Sequence, residues 1–115
     1  MTRFMIYKIF RQNEWLNLKN EGATLGAPID IQDGYIHFST GSQVAETAEK
    51  YFKGIDNLFV AAIDESLITD KLAWEPARNN KLFPHLYREL KLSEIIWCEK
   101  LPLKNGKHIL PAQIK

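Results

Sequence analysis

Hydrophobic positions are dense from Phe4 to Phe10, where β-branched and aromatic residues fill both alternating faces, the pattern of an interior strand. From Arg11 to Glu21 they thin to Trp15, Leu16 and Leu18 among polar residues, with Asn13 available as an N-cap and Gly22 as a stop, which predicts a short amphipathic helix. Gly22 to Gly34 contains Gly26, Pro28 and an Asp33-Gly34 pair and reads as a loop ending in a turn. Tyr35 to Ser39 alternates: Ile36 and Phe38 point one way, and Tyr35, His37 and Ser39 the other. One face of this strand therefore belongs to the core and the other carries hydrogen-bonding groups. Thr40-Gly41-Ser42-Gln43 has the form of a capping box, opening a helix that runs to about Lys53 with Val44, Ala48, Tyr51 and Phe52 as its apolar stripe and Gly54 as its end.

Leu58 to Ile63 is an unbroken apolar run between polar pairs, as expected of a central strand covered on both faces. Leu72 to Glu75 and Leu82 to Tyr87 read as two shorter strands joined by the polar loop Pro76 to Lys81. Phe83, His85 and Tyr87 share a face of the second, and Pro84 argues for an edge position or a bulge. Leu92 to Glu99 closes the series as a further strand. These elements predict an α+β fold, a compact mixed and mostly antiparallel sheet with two main helices, in a single domain over residues 1–115. No internal repeat or linker divides it.

Composition narrows the field. With 45% hydrophobic and 25% charged residues among 115, the chain has the make-up of a folded globular domain. Fifteen basic and 14 acidic residues leave a net charge of +1, which gives no field for nucleic acid or an anionic membrane; Lys100, Lys104, Lys107 and Lys115 read as a solvated basic tail. The start, Met1-Thr2-Arg3-Phe4, leads into an apolar stretch broken by Lys8 and Arg11, unlike a signal or membrane segment, and the one cysteine, Cys98, excludes an internal disulfide. Both features fit a cytoplasmic protein. Cys98 lies within Ile95-Ile96-Trp97-Cys98 with no electropositive neighbour in sequence and reads as an inert buried thiol.

Chemistry centres on two histidines. His37 follows a turn on the polar face of a strand and just precedes a helix start whose free amides favour an anion, together a cradle for a phosphate or nucleotide. The competing reading is a histidine that only stabilises the turn, and Ser39 likewise either joins the site or assists Thr40 in capping. His85, between Phe83 and Tyr87, is placed to stack on a planar group or exchange a proton, unless it is a satisfied structural histidine. Each histidine has an aromatic companion on its face, Tyr35 in one case and Tyr87 in the other. Glu75, extended by the proline that follows it, is placed to direct a carboxylate to a ribose hydroxyl or to form a surface ion pair. Arg78 and Arg88 are the arginines available to neutralise phosphates, and Trp15, Trp74 and Trp97 read as core. No phosphate-binding glycine loop, dinucleotide fingerprint or nucleophile elbow occurs, and three histidines without paired cysteines or H-x-x-x-H spacing predict no metal site.

The segments Ile6-Tyr7-Lys8-Ile9, Asp33-Gly34-Tyr35-Ile36-His37-Phe38-Ser39-Thr40 with Gln43, Ile63-Asp64, Trp74-Glu75-Pro76 and Phe83-Pro84-His85-Leu86-Tyr87 resemble, in order, the pattern of the bacterial domain-of-unknown-function family numbered 952. Arg88 stands where that family usually has glycine. The resemblance implies a fold similar to ADP-ribosyltransferases and a motif order like that of NAD-consuming RNA 2'-phosphotransferases. By that resemblance His37, Ser39 and Thr40 match a strand histidine followed by hydroxyls, whereas Lys8 replaces a histidine, Asp33 lies near an arginine position, and neither Glu75 nor His85 aligns with the catalytic glutamate. The implied ligand is NAD or an ADP-ribose-like nucleotide, held by Tyr35, Ser39, Thr40, Arg78 and Tyr87, with His37, His85 and Glu75 carrying any catalysis. A non-catalytic module that binds a nucleotide or a protein partner is the alternative, and a serine hydrolase using Ser39 with His37 is a third reading.

Overall fold

The longest apolar run becomes the middle of the largest sheet. The computed structural model describes residues 4–114, so Met1 to Arg3 at the start of the N-terminal run and Lys115 of the basic tail lie outside the described residues. The first half of the chain forms β1 (Met5–Arg11), α1 (Gln12–Glu21), β2 (Ala23–Thr24), α2 (Pro28–Asp33), β3 (Ile36–His37), β4 (Ser39–Thr40) and α3 (Val44–Tyr51). The second half is almost all strand: β5 (Leu58–Asp64), β6 (Leu72–Pro76), β7 (Leu82–Leu86), β8 (Leu90–Lys91), β9 (Ile95–Leu101), β10 (Leu103–Lys104) and β11 (Lys107–His108), with short 3-10 turns between some of them.

The α+β class holds, and the described strand pairings are all antiparallel, divided between a four-stranded sheet ordered β4-β1-β5-β9, a three-stranded sheet ordered β3-β7-β6, and two small ladders, β2-β8 and β10-β11. β1 and β5 pair along their full length, from Met5 opposite Asp64 to Arg11 opposite Leu58. Opposite β5, Ala62 faces Trp97 and Ile63 faces Ile95, which leaves Ile96 as the extra residue of a bulge. The period of two then sorts β1 between two cores. Ile6 and Phe10 join Ile36, Phe38, Ile63 and Leu86 on one side, and Tyr7 and Ile9 join Val44, Ala48, Val60 and Leu101 on the other. Each fully buried Leu or Ile of this kind contributes about 1.5–3 kcal/mol by leaving water. Trp15, Trp74 and Trp97 pack against these cores, as expected.

Several local expectations are corrected. The N-cap of α1 is Arg11, not Asn13, because β1 runs on to Arg11 and Glu14 Oε1 accepts the Arg11 N–H at 2.9 Å. The segment 22–34 is not a plain loop. Pro28 opens α2 at its first turn, Asp30 Oδ2 accepts the Ala27 N–H at 2.8 Å, and Gly34 at φ 86° closes it, giving three α-helices where two were expected. The strand 35–39 divides at Phe38: β3 joins the small sheet and β4 the large one, while the Phe38 N–H donates to Pro84 O at 3.0 Å. β7 is the middle strand of its sheet, so Pro84 is not at an edge. Its carbonyl accepts the Phe38 N–H, and the reciprocal donation to Phe38 that proline cannot make is where the β3–β7 ladder stops. The box at 40–43 is only half formed: Gln43 Oε1 accepts the Thr40 N–H at 3.0 Å, whereas the Thr40 hydroxyl meets Ser42. α3 ends at Tyr51, which is 60% exposed rather than part of the core stripe. Lys104 and Lys107 pair in a hairpin, not a loose tail.

Candidate functional site

β3 and β7 lie in register, with His37 directly opposite His85. Ile36 and Leu86 from the same pair of strands enter the core, so the histidines occupy the other face, together with Phe83 and Tyr87. Their rings meet edge to face at 5.3 Å between centroids. Tyr35 covers both, at 4.7 Å from His37 and 4.2 Å from His85, and also packs against Tyr87 at 5.1 Å. The aromatic companions anticipated for each histidine thus form one cluster.

Each imidazole has its own carboxylate. His85 Nδ1 lies 2.8 Å from Glu75 Oε1, and the same oxygen accepts the Tyr87 hydroxyl at 2.7 Å. The Tyr87 hydrogen bond, then the His85 one, hold the Glu75 carboxyl below its ordinary range, and the bond to Glu75 pushes the Tyr87 phenol up to about 12. Glu75 therefore pairs with His85 while its own side chain stays 38% exposed. His85 itself is 3% exposed.

His37 is bound differently. Its Nδ1 lies 2.5 Å from Asp30 Oδ1, its backbone N–H donates to the same oxygen at 3.2 Å, and Asp33 Oδ2 stands 3.1 Å from Nε2. The other oxygen of Asp30 accepts from Lys8 Nζ at 2.8 Å and from the Ala27 N–H. Burial favours the neutral acid of Asp30, but the His37 hydrogen bond and the Lys8 charge outweigh it and keep the carboxyl below its ordinary value. Gly26 makes room for this: at φ 95°, a Cβ there would fall 2.1 Å from Asp30 Oδ2.

The histidine wall opens on a cavity of about 540 Å³. Lys8, Asp30 and Asp33 line it beside the histidines; Tyr51, Phe52 and Phe83 supply aromatic faces; Ser39, Thr47, Arg11 and Arg78 complete the polar lining. Arg78 is nearly buried and sits over Phe83 at 4.9 Å and Tyr51 at 5.6 Å, with Nη2 donating to Thr47 Oγ1 at 3.1 Å and Nε 2.7 Å from Glu46 Oε1. Ser39 shares a hydrogen bond with Thr47 at 2.9 Å, a commitment that does not leave its hydroxyl poised on His37 as a nucleophile.

The structure thus brings His37, His85, Ser39 and Arg78 to one cavity, with Glu75, Tyr35 and Tyr87 buttressing the histidines. Thr40 is not brought there. Its amide is taken by Gln43, and α3 meets the cavity through its flank, at Thr47 and Tyr51, rather than through its first turn. Arg88 is also elsewhere, clamped between Asp70 at 3.2 Å and Glu94 at 2.8 Å. Asp30 was the residue missed. A lysine inside an apolar strand calls for a buried acid, and proline followed two residues later by aspartate is a helix-start signal; read together they point to it. Cys98 is partly buried, and that burial pushes its thiol up to about 12. Among the described residues no group of histidine, cysteine and carboxylate side chains is arranged to hold a metal ion, and no helix is long and apolar enough to cross a membrane.

Comparison with known proteins points to one family. The crystal structure of protein CC0527 from Caulobacter crescentus is 40% identical in sequence and superposes with a TM-score of 0.88, covering 91% of this chain and 93% of that one. The solution NMR structure of CC0527 gives 39% identity and a TM-score of 0.81, covering 90% of each chain. No curated protein matches. The family described as Protein of unknown function (DUF952) matches residues 9–98, most of the chain from β1 to β9, and this protein belongs to that family.

Proposed function

We propose that the cavity binds a nucleotide of the NAD or ADP-ribose class, in a domain whose architecture is related to that of ADP-ribosyltransferases. The observation that carries this reading is the register pairing of His37 with His85 on one cavity wall, each backed by a carboxylate. Oriented imidazoles of this kind hold and move protons at ligand hydroxyls. A volume of about 540 Å³ lies in the range of small-molecule sites, and such sites combine apolar walls with a few convergent polar groups. Tyr51, Phe52 and Phe83 offer faces for a planar base, and Arg78 offers a nearly buried cation for a phosphate.

As an enzyme, the domain would cleave or transfer at the nicotinamide ribose, with the histidine wall at the ribose hydroxyls and Arg78 at the phosphates. A binding module is favoured by one observation: Asp30 is fully engaged by Lys8, Ala27 and His37, and it holds part of the wall as a closed ionic network. The two are separated in sequence. Titration with NAD and ADP-ribose, followed through the histidine ring signals by NMR, is expected to move His37 and His85; static signals at millimolar ligand would refute the nucleotide site. Where binding is seen, nicotinamide release by the wild type and its loss in His37→Ala identify an enzyme, and binding without release identifies a sensor.

A further inference from the structure

We propose that His85, and not His37, takes the proton from a hydroxyl of the bound ligand, with Glu75 and Tyr87 as positioning residues that act only through it. The proposal rests on the cavity being the ligand site described above. An ionised carboxylate accepts hydrogen bonds and donates none, so the 2.8 Å contact with Glu75 places the proton of the neutral ring on Nδ1 and leaves a bare lone pair on Nε2. Tyr87 anchors the same Glu75 oxygen at 2.7 Å, and Tyr35 and His37 pack the ring at 4.2 and 5.3 Å, which resists a flip that would exchange the two nitrogens. Among the described residues Nε2 has no hydrogen-bond partner, on a side chain 3% exposed that lines the cavity. His37 offers no such lone pair: Asp30 occupies its Nδ1 and Asp33 faces its Nε2.

The step is a single proton transfer. The ligand O–H bond breaks, its electron pair stays on oxygen, and an N–H bond forms at Nε2. The positive charge on the ring is then met by Glu75 across the Nδ1–H bond, and Glu75 keeps its charge throughout. The ligand this fits has an anion and a hydroxyl a short distance apart. Arg78 stacks on Phe83, and Phe83 precedes His85 by two residues on the same strand face, roughly 6.5 Å along the strand, a spacing that a phosphorylated ribose bridges.

Long-range proton–nitrogen NMR of the imidazole rings tests this directly, with His108, whose Nε2 meets Ile55 O at 2.8 Å outside the cavity, as the reference. The expected result is His85 as the Nδ1–H tautomer, with its Nε2 resonance moving on addition of ADP-ribose by more than either nitrogen of His37. Glu75→Gln is expected to abolish the tautomer preference, and Tyr87→Phe to weaken it, with the His108 signals unchanged in both. His85 found as the Nε2–H tautomer, or an Nε2 signal that stays still while Arg78 and Tyr51 signals shift, would overturn the assignment. If no cavity signal responds to ADP-ribose, the nucleotide reading fails and this proton transfer fails with it, whereas a responding cavity with His85 as the Nε2–H tautomer overturns this assignment alone.

Discussion

A lysine inside a strand is tolerated only where an acid meets it, and Lys8, on the same face as Ile6 and Phe10, meets Asp30 at 2.8 Å. That requirement makes Asp30 the keystone of the histidine wall. Asp30→Asn leaves a buried ammonium without its counter-charge and is expected to cost about 3–5 kcal/mol in chemical denaturation. Because the folded carboxyl titrates below its ordinary value of 3.8, its contribution is complete above that value and is lost as pH falls through the lower, folded one. The acid limb of the stability profile should therefore flatten in Asp30→Asn. Gly26→Ala is expected to lose at least about 1 kcal/mol, since it combines a left-handed backbone with a Cβ at 2.1 Å from Asp30 Oδ2. At Cys98, burial holds the thiol up near 12, so an alkylating reagent at neutral pH should label the native protein far more slowly than the denaturant-unfolded chain.

At the scale of elements, legibility follows the length and purity of the pattern. The run at β5 and the alternation of Phe83 and His85 on β7, continued by Tyr87 just after it, specify their faces without outside help, and both were readable as strands. α2 was not. Its six residues expose Ile29 and Ile31, so no amphipathic stripe announces it, and its start is made by Asp30 rather than by an N-cap side chain. The division of the strand at Phe38 was equally hidden, because both halves keep the same alternation and only the partner strands differ. Of the site, the two histidines were legible as polar positions on apolar-backed strands, and Arg78 only as one of two loop arginines available to a phosphate. The pairing of His37 with Asp30 was not, since it depends on α2 existing. Leu86→Ala removes a fully buried side chain directed away from His85 and is expected to cost about 2–5 kcal/mol in thermal or denaturant unfolding. The ordered Tyr35–His85 contact should persist in that variant wherever it remains folded, because the deletion lies on the opposite face of β7.

At the scale of the molecule, the cavity exists because separate elements converge on it. β1 brings Lys8, α2 brings Asp30 and Asp33, β3 and β7 bring the histidines, and the flank of α3 brings Thr47 and Tyr51. No one segment carries the whole lining; aromatic faces, cations and oriented imidazoles come together only in the fold. The likeness to CC0527 extends over nine-tenths of both chains, so the same convergence of elements is expected there. Calorimetric titration of the wild-type protein with ADP-ribose tests the account most directly. It predicts saturable binding that is lost in Arg78→Ala and in His85→Ala while both variants retain the folded spectrum; no heat of binding to the wild type at millimolar ligand would contradict it.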